Sequence, residues 1–387
     1  MSTRPSILLT TRPQGVAPHS VPIADFDHRV AREIRALGGR AQLLYTRRLP
    51  NPEERAWLDR HDLPWRSWVA DRQPSARDFP RLVRLLKELR PTVASFQFSA
   101  VSWGLLASRI AGVRHRLAWY QTAYEAILRG QPVAPWRRRL QLAVARGYRR
   151  LATHHLAVSR DAAGELERIF RAPASRIHLC HQGIPLPLEG ADRKRRPATV
   201  VCVAGLGPMK GQATLIDAVA RIPRDDVELI LVGPGDPEPL RRRALALGIE
   251  ARCRFTGPLS RERVYEHFET CTVAALPTLA DSAPKVALEA MACGAPFAGS
   301  AVGGLVDFVE PDVSGILVPA EDAGAWRDVL ESLLGDADRR RALGEAGKNR
   351  AKHFLLAERG RRLARELWRL ATEDRFEGAA APLPGTG

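Results

Sequence analysis

The chain has 387 residues, of which 45% are hydrophobic and 26% charged, and it carries a formal net charge of +16. This length exceeds one ordinary hydrophobic core and favours two domains of roughly 150 to 200 residues each. The composition excludes the disordered, collagen-like and coiled-coil classes, so we expect a folded, enzyme-sized protein.

Neither a membrane span nor a secretion signal is visible in the sequence. No apolar run approaches the roughly 18 residues that a spanning helix needs, and the apolar stretch 6–10 is too short for a signal-peptide core. We therefore expect a cytoplasmic protein. Its cysteines are odd in number, far apart and never spaced as metal-binding pairs, which predicts reduced thiols and no zinc site. They are Cys180, Cys202, Cys253, Cys271 and Cys293.

The positive charge is confined to the first half of the chain. Residues 1–190 hold 31 Lys and Arg against 15 Asp and Glu, whereas residues 191–387 hold 28 against 28. An arginine-rich genome would enrich both halves, and it leaves the balance of the second half unexplained. The asymmetry indicates an anionic partner for the first half, either a nucleic acid, a membrane surface or an acidic substrate.

Strand and helix patterns alternate along the first half, which predicts a parallel sheet covered by helices on both faces. The predicted elements are strand 7–10, a helix through Val30 and Leu37, strand 41–45, helix 82–89, strand 93–96, helix 104–111, strand 117–120, helix 136–151, strand 155–158 and strand 177–179.

A proline-rich and charged stretch at 185–197 has no periodicity and predicts the interdomain linker. A second alternating series follows it. Its elements are strand 199–204, helix 212–220, strand 227–232, helix 239–246, strand 253–256, helix 261–267, strand 273–276, helix 285–292, strand 296–299, a turn at Gly303-Gly304, strand 315–318 and a last helix 355–370.

These patterns predict two doubly wound, Rossmann-like domains that face each other across a cleft. We expect an N-terminal acceptor-binding domain at 1–187, a C-terminal donor-binding domain at 198–355, a helix at 356–375 that crosses back to the first domain, and a disordered tail at 376–387. Ligands of such sheets bind at the carboxyl ends of the strands, which in paired domains means the cleft.

The most informative motif is the stretch 276–296, where a strand ends, a loop carries Asp281 and a helix begins around Pro284. A proline is tolerated there because the first turn does not use its missing donor. The free amides of that turn form an anion site suited to a diphosphate. The side chain of Glu289 points back toward the same helix end and can accept two hydrogen bonds from a ribose. Asp281 can take sugar hydroxyls in the same way.

This motif resembles that of the retaining glycosyltransferases of family four, which have the two-domain GT-B fold. Their mark is two acidic residues separated by seven others, the second in a Glu-Ala-Met-Ala-x-Gly-x-Pro run, as at Asp281 and Glu289. The resemblance covers 199–350 and includes the segments 231–236, 255–257 and 302–319. It implies a donor site made of Gly205, Gly207, Lys210, Gly233, Asp281, Ser282, Ala283, Pro284, Lys285, Val286 and Glu289.

A glycine-rich turn at 201–212 carries Lys210, whose ammonium can bind a diphosphate together with backbone amides. It is neither a P-loop nor a dinucleotide fingerprint, because the glycine spacing fails. It resembles the family's Gly-Arg-Leu-x-x-x-Lys-Gly stretch, in which Lys210-Gly211 matches and Gly205 stands where the family has its diphosphate-binding arginine. The family's active-site histidine is matched by Gln121, since His115 is expected to precede the strand.

The resemblance implies transfer of a hexose-type sugar from a nucleoside-diphosphate donor of UDP or GDP type, with retention at the anomeric carbon. Lys210, Asp281, Glu289 and Gln121 are the implied catalytic residues, although a glutamine cannot act as an acid or base. No metal or other cofactor is required, because the lysine and the helix amides stabilise the leaving diphosphate. Asp25/Asp27 and Asp336/Asp338 have the spacing of a metal-binding pair, but neither pair lies in a nucleotide-binding context.

The segment 135–151 predicts a basic amphipathic helix. Its apolar stripe runs through Trp136, Leu140, Val144, Tyr148 and Leu151, and we expect this stripe to pack on the sheet. Trp136, Arg137, Arg138 and Arg139 are the candidate contacts to an anionic or lipid-linked acceptor, or to an anionic membrane. The implied role is synthesis of a cell-surface polysaccharide, lipopolysaccharide or glycolipid at the inner face of the membrane.

Two competing interpretations stay open. Gly205 and Gln121 allow a catalytically silent nucleotide-sugar-binding partner protein of the same fold. The basic charge allows a nucleic-acid-binding protein, but the arginines lie in helices with aliphatic neighbours rather than among stacking aromatics. We therefore expect no nucleic-acid partner.

Overall fold

The computed structural model describes residues 4–11, 23–47, 49–70, 75–122, 124, 134–185 and 198–376. They form two α/β halves, each with one parallel sheet and helices packed on both of its faces. The predicted fold class is confirmed. The predicted linker, apart from Pro185, and the tail beyond Phe376 lie outside the described residues.

The N-terminal half contains a seven-stranded sheet in the order β3-β2-β1-β4-β5-β6-β7, and every neighbouring pair is parallel. The order reverses between β1 and β4, so the loops after these two strands open at the carboxyl edge of the sheet. The described elements are β1 Ser6–Thr11, α1 Ile23–Ala36, β2 Arg40–Arg47, α2 Pro52–Arg60, β3 Trp65–Ala70, α3 Phe79–Leu89, β4 Val93–Phe96, α4 Ala100–Ile110, β5 His115–Tyr120, α5 Pro135–Arg149, β6 His154–Ala157, α6 Arg160–Arg168 and β7 Ile177–Leu179.

The C-terminal half contains a six-stranded parallel sheet in the order β10-β9-β8-β11-β12-β13, which reverses between β8 and β11. Its elements are β8 Thr199–Val203, α7 Gln212–Ala220, β9 Glu228–Val232, α8 Glu238–Ala246, β10 Cys253–Gly257, α9 Arg261–Thr270, β11 Val273–Leu276, α10 Lys285–Ala292, β12 Phe297–Ser300, α11 Leu305–Phe308, β13 Ile316–Val318, α12 Ala323–Gly335, α13 Ala337–Lys352 and α14 Leu356–Glu373.

Apolar side chains of each central strand bury on both faces of the sheet. In β1, Ile7 and Leu9 join the core on one face and Leu8 joins the core on the other. In β8, Val201 and Val203 face one core and Val200 faces the opposite one. A strand covered on both faces has a continuous apolar sequence, which is why these strands are recognisable without alternation.

A helix and a buried carboxylate are among the contacts that join the halves in the described part of the chain. Helix α14 packs on α1 and adds Leu363 and Leu367 to the N-terminal core. The second is the fully buried carboxylate of Asp307 in α11, which accepts hydrogen bonds from Arg160 Nε at 2.7 Å and His181 Nε2 at 2.9 Å. Burial alone would raise the pKa of Asp307, but the hydrogen bonds from His181 and Arg160 lower it below its ordinary value. These charged hydrogen bonds therefore hold α11, which follows β12, against the N-terminal half.

Several elements differ from the prediction. The structure contains five elements that the sequence patterns did not predict: helix α2, strand β3 and helices α6, α12 and α13. His115 was expected to precede its strand, but it is the first residue of β5, where it pairs with Val93. The turn at Gly303-Gly304 leads directly into the one-turn helix α11. Within the described residues, no helix has the length and apolar character needed to span a membrane.

Candidate functional site

The carboxyl ends of β8, β9 and β11 surround a cavity of about 450 Å³. Most of the predicted donor-binding residues line it, and Gly207 and Ser282 do not. Those that line it are Gly205, Lys210, Gly233, Asp281, Ala283, Pro284, Lys285, Val286 and Glu289. Segments that are up to 84 positions apart in sequence thus meet in one place.

Lys210 and Asp281 form an ion pair in this cavity. Lys210 ends a short 3-10 turn after β8, and Asp281 lies in the loop after β11. The distance from Lys210 Nζ to Asp281 Oδ2 is 2.6 Å, and both side chains are partly exposed. The adjacency of β8 and β11 at the reversal of the sheet brings the two loops together.

The loop that carries Asp281 is fixed by two glycines from the neighbouring loop. The amide of Gly304 donates a hydrogen bond to the carbonyl of Asp281 at 2.9 Å. Gly303 has a φ of +54°, and a Cβ added there would lie 2.0 Å from the same carbonyl oxygen. Only glycine allows this approach, so the Gly303-Gly304 pair positions Asp281.

Glu289 is a buried carboxylate with an unsatisfied oxygen. It lies on α10, is only 5% exposed, and its Oε1 has no hydrogen-bond partner among the described residues. Burial raises the pKa of Glu289 to about 7, against the opposing charges of Arg261 and Lys285. A buried acceptor without a partner is costly, so this oxygen is ready for a hydroxyl donor that enters the cavity.

The N-terminus of α10 points at the same cavity. Helix α10 begins at Lys285 after Pro284, which has φ −73° and ψ 89° and makes no side-chain cap. Burial lowers the pKa of Lys285 to about 8, and the charges of Glu289, Asp27 and Asp25 oppose this effect. Asp25 and Asp27 belong to α1, so the cleft places acidic side chains of one half near the positive helix end of the other.

Gly205 and Gly233 bring the loops after β8 and β9 into contact. Gly233 has a φ of +148°, and a Cβ there would lie 2.0 Å from the carbonyl oxygen of Ala204. At Gly205 the nearest atom to an added Cβ would be the Pro234 carbonyl oxygen at 3.7 Å, an ordinary contact distance. The backbone at Gly205 therefore has room for a side chain directed along the cavity wall.

Gln121 lies apart from these residues, in a chain of buried polar groups in the N-terminal half. Its Nε2 donates to Gln97 Oε1 at 2.6 Å, and Gln97 Nε2 donates to Asp27 Oδ1 at 2.8 Å. Burial raises the pKa of Asp27 to about 7, although hydrogen bonds from Thr11 and Gln97 oppose it. The chain links the carboxyl ends of β4 and β5 to α1 and holds the amide of Gln121 in one orientation.

Sequence reasoning missed three polar residues of the cleft: Arg261, Gln97 and Asp27. Arg261 lines the 450 Å³ cavity at the start of α9. Its signal was weak because it looks like an exposed first-turn residue of a helix capped by Ser260. Asp27 was considered only as part of a metal-binding pair with Asp25, and no group of three ligating side chains that could hold a metal occurs in the described part of the chain.

A further cavity of about 440 Å³ lies between α1 and α2 and contains none of the predicted residues. His28 lies in its wall, is bonded to Tyr45 Oη at 2.7 Å and stacks on Trp57. Burial lowers the pKa of His28 to about 4. This histidine is neutral at pH 7 and belongs to the packing between the two helices.

Helix α5 does not pack as expected. Trp136, Leu140 and Val144 are 62%, 57% and 59% exposed, so the first three residues of the stripe do not contact the sheet. Only Tyr148 and Leu151, at the end of the stripe, pack against the N-terminal core. The expectation that the whole stripe packs was wrong. Residues 134–141 are all exposed, and in the middle of the helix Leu142 and Ala145, rather than Val144, pack on the N-terminal core. Arg137, Arg138 and Arg139 are exposed beside it.

Comparison with solved structures finds the same fold over nearly the whole chain. The Anabaena protein HepE, solved in complex with UDP, is 20% identical with a TM-score of 0.72, over 94% of this chain and 99% of that one. Sucrose-phosphate synthase from Thermosynechococcus elongatus is 20% identical with a TM-score of 0.73, over 96% and 100%. The predicted GT-B fold is confirmed by these neighbours.

Curated relatives match over shorter stretches. The D-inositol 3-phosphate glycosyltransferase of Xylanimonas cellulosilytica is 31% identical over 220 residues, 51% of this chain and 52% of the relative. The enzyme of the same name from Mycolicibacterium paratuberculosis is 35% identical over 190 residues, 45% and 43%. The chain thus spans about half the length of the curated relatives it matches.

Two family descriptions match consecutive parts of the chain. "Glycosyltransferase Family 4" matches residues 28–187, and "Glycosyl transferases group 1" matches residues 189–350. Together they cover the C-terminal sheet, every strand of the N-terminal sheet except β1, and every residue that lines the 450 Å³ cavity. The chain therefore belongs to glycosyltransferase family four.

Proposed function

We propose that this protein transfers a hexose-type sugar from a nucleoside-diphosphate donor to an acceptor, with retention at the anomeric carbon. The observation that carries the proposal is the cavity in which the Lys210–Asp281 ion pair, the N-terminus of α10 and the unsatisfied oxygen of Glu289 meet. It offers a cation, a positive helix end and two carboxylates within one volume. A diphosphate flanked by a ribose and a sugar requires this combination of groups.

Each group has a separate part in the proposed donor complex. The amides at the start of α10 and the ammonium of Lys210 bind the diphosphate, because both carry positive charge. Glu289 accepts hydrogen bonds from the ribose hydroxyls, which supply the partner that Oε1 lacks. Asp281 accepts hydrogen bonds from hydroxyls of the transferred sugar. These hydrogen bonds replace its contact with Lys210.

In the proposed chemical step the bond from the anomeric carbon to the diphosphate breaks, and the acceptor hydroxyl attacks from the same face. The electron pair leaves with the diphosphate, and Lys210 and the helix amides stabilise its new charge. The proton of the acceptor hydroxyl passes to an oxygen of the leaving phosphate. Gln121 only orients groups by hydrogen bonding, since its amide cannot act as an acid or a base. We propose no metal, so an excess of EDTA is expected to leave turnover unchanged.

UDP is the nucleotide we propose first, with GDP as the second choice. HepE, which has the same fold as this chain, was solved with UDP and with UDP-glucose. The acceptor is proposed to be anionic or lipid-linked, because the excess positive charge is confined to residues 1–190. Two matched relatives are named for D-inositol 3-phosphate, which agrees with an anionic acceptor.

We propose that the acceptor is used at the inner face of the cytoplasmic membrane, in synthesis of a cell-surface polysaccharide, lipopolysaccharide or glycolipid. The exposed apolar residues of α5, flanked by Arg137, Arg138 and Arg139, support adsorption to an anionic leaflet. The surface combines aromatic, aliphatic and basic side chains. Lipid headgroups bind such a combination better than a soluble polyanion does.

A second candidate is a nucleotide-sugar-binding protein without catalytic activity. Gly205 and Gln121 favour it, because a second diphosphate cation and a titratable group are missing from these two positions. It predicts donor binding without either sugar transfer or slow donor hydrolysis. The enzyme predicts both binding and turnover.

The test is a binding panel followed by turnover. The purified chain is mixed with UDP, GDP, ADP, TDP and CDP, and thermal unfolding is measured, because a ligand that binds only the folded state raises Tm. The preferred nucleotide is then supplied as its glucose, galactose and N-acetylglucosamine conjugates, and nucleotide release is followed. Binding without release for every conjugate supports the silent protein. The absence of binding to any nucleotide contradicts both candidates.

A further inference from the structure

Arg149 lies in a cage of aromatic rings at the end of α5. Its side chain is buried, with 8% exposed. The guanidinium carbon lies 4.4 Å from the ring centre of Phe170, 4.8 Å from that of Tyr120 and 5.8 Å from that of Tyr148. Aromatic faces attract a cation, so the rings stabilise the planar faces of the guanidinium.

Part of the edge of the guanidinium has no hydrogen-bond partner. A guanidinium has five N–H donors in its plane, and a side-chain hydrogen bond with Tyr148 satisfies only part of them. Nε and Nη1 of Arg149 are buried and have no hydrogen-bond partner in the described part of the chain. Burial lowers the pKa of this side chain, which reflects its removal from water. The positive charge is therefore buried without an anionic partner among these residues.

The nearby carboxylate of Glu165 is engaged elsewhere. Glu165 is buried, and its Oε2 accepts a hydrogen bond from Tyr120 Oη at 2.5 Å and another from the amide of Tyr124 at 2.9 Å. These contacts hold the tyrosines that surround the arginine. They do not supply the acceptor that Nε and Nη1 lack.

A cavity of about 180 Å³ adjoins the cage, and Arg149, Tyr148 and Tyr124 are among its lining residues. The hydroxyl of Tyr124 is also buried without a partner among the described residues. This volume is enough for one tetrahedral anion. Gln121 lines the same cavity, so an occupant lies beside the proposed reaction centre.

We propose that Arg149 and Tyr124 bind a phosphoryl group of the acceptor in this cavity, and this rests on the proposed transferase function. One N–H of the guanidinium donates a charge-assisted hydrogen bond to a phosphate oxygen, and the Tyr124 phenol donates to another. Binding supplies the counter-charge and a hydrogen-bond partner that the cage lacks. The acceptor hydroxyl is thereby held near Gln121, which lines the same cavity.

Such a site favours phosphorylated over unphosphorylated compounds, because its hydrogen-bond donors stay unpaired when the phosphoryl group is absent. Loss of a hydrogen bond to a charged group costs roughly 1.5 to 3 kcal/mol, which is about tenfold or more in affinity. We therefore expect wild-type protein to bind phosphorylated compounds at least tenfold better than their unphosphorylated parents in this cavity. The aromatic cage alone gives no such preference.

The test uses inorganic phosphate as the probe on the full chain saturated with UDP, so that the donor cavity is filled. Calorimetric titration compares wild type with Arg149→Met, Arg149→Lys and Tyr124→Phe. We expect Arg149→Met to weaken phosphate binding at least tenfold and the other two to weaken it several-fold, with unchanged UDP affinity. Equal phosphate affinity in wild type and Arg149→Met overturns the proposal. If Arg149→Met does not fold, unchanged binding in both other variants overturns it.

Two further arms separate the source of the phosphoryl group and the underlying function. Competition against phosphate is measured with soluble myo-inositol phosphate and with vesicles in which about one lipid in five is a phosphatidylinositol phosphate. Competition by the soluble compound indicates a free phosphate acceptor, and competition by vesicles alone indicates a lipid headgroup. Competition by neither contradicts an acceptor site. If wild-type protein bound none of the nucleoside diphosphates, that result would instead contradict the transferase proposal.

Discussion

Lys210 Nζ lies 2.6 Å from Asp281 Oδ2, so residues from the loops after the adjacent strands β8 and β11 neutralise each other in the 450 Å³ cavity. Both side chains are partly exposed, which means that water screens the pair and that its contribution to stability is small. Under the proposed function, we expect a diphosphate to compete for the lysine and a sugar to compete for the aspartate. We therefore expect the donor to replace the contact between the two side chains.

Replacing Lys210 tests its role in the chemical step. We expect Lys210→Ala to lower kcat more than it raises the donor KM, because the ammonium matters most when charge develops on the leaving group. Steady-state kinetics with the preferred nucleotide sugar measures both constants. Lys348→Ala removes an exposed lysine of the same half and is the matched control. A raised KM with unchanged kcat would show that Lys210 only binds the donor.

Replacing Glu289 tests the assignment of the ribose. We expect Glu289→Gln to weaken nucleoside-diphosphate binding tenfold or more, since hydrogen bonds to a charged acceptor contribute roughly 1.5 to 3 kcal/mol. Titration calorimetry with UDP measures the change. Glu345→Gln, at an exposed position of α13, controls for the loss of one negative charge. The site assignment fails if the affinity of the Glu289 variant equals that of wild type.

The same residue predicts a pH-dependent stability. Burial raises the pKa of Glu289 from 4.5 to about 7. A carboxyl group that binds its proton more tightly in the folded protein favours folding at low pH, and this contribution is lost as the pH rises from about 4.5 through 7. Glu289→Gln cannot ionise, so we expect it to exceed wild type in stability at pH 8 by up to about 3 kcal/mol.

Thermal unfolding without nucleotide, measured from pH 4.5 to pH 8, tests this expectation. The difference in Tm between the variant and wild type is expected to vanish near pH 4.5 and to grow as the pH rises. Asp27 also has a pKa raised to about 7, but it is common to both proteins and cancels from their difference. A difference in Tm that is constant over this pH range would contradict the raised pKa of Glu289.

Adding a positive charge at position 205 tests whether the wall of the 450 Å³ cavity contacts the nucleotide. A Cβ at this position meets only the Pro234 carbonyl oxygen at 3.7 Å, so the first atom of a side chain fits without moving the loop. We expect Gly205→Arg to increase UDP affinity several-fold, because it adds a cation to the wall of the donor cavity. Gly207→Arg is the matched control, since it adds the same charge in the same loop outside the cavity lining. Equal effects of both variants would indicate general charge attraction.

Part of this architecture could be predicted from sequence. Helix α10 and strand β11 were predicted with both ends correct, because Pro284 and Gly294 bound an apolar helix and the strand is continuously apolar. Helix α2 was not predicted, although Asn51 before Pro52 is a start signal and its side chain caps Glu54 N at 2.7 Å. Its weakly amphipathic sequence hid the signal.

The pairing within the site depended on tertiary structure. Lys210 and Asp281 are 71 residues apart, and only the adjacency of β8 and β11 brings them together. Gln97 appears in the sequence as an ordinary polar residue after a strand. Its role in holding Gln121 emerges only when β4, β5 and α1 pack. Periodicity identified the apolar stripe of α5, but it cannot show which part of a stripe another element covers.

The surface of α5 combines exposed apolar side chains with exposed arginines. Trp136, Leu140 and Val144 follow each other at intervals of four and are more than half exposed, with three exposed arginines between the first two. Each basic residue near an anionic leaflet contributes about 1 kcal/mol, and burial of the apolar residues adds to this. We expect wild-type protein to sediment with liposomes that contain anionic lipid and to do so less as salt increases, because salt screens the attraction.

An Arg137/Arg138/Arg139→Ser variant is expected to lose most of this sedimentation. The matched control is Arg339/Arg340/Arg341→Ser, which removes three consecutive arginines from α13, where they already bond to Ser332, Leu333 and Asp338. If charge alone drives adsorption, both triple variants lose it equally. If the α5 surface drives it, only the first does, and Trp136→Ser weakens binding even at high salt. A wild-type protein that ignores anionic liposomes at low salt would exclude membrane adsorption through α5.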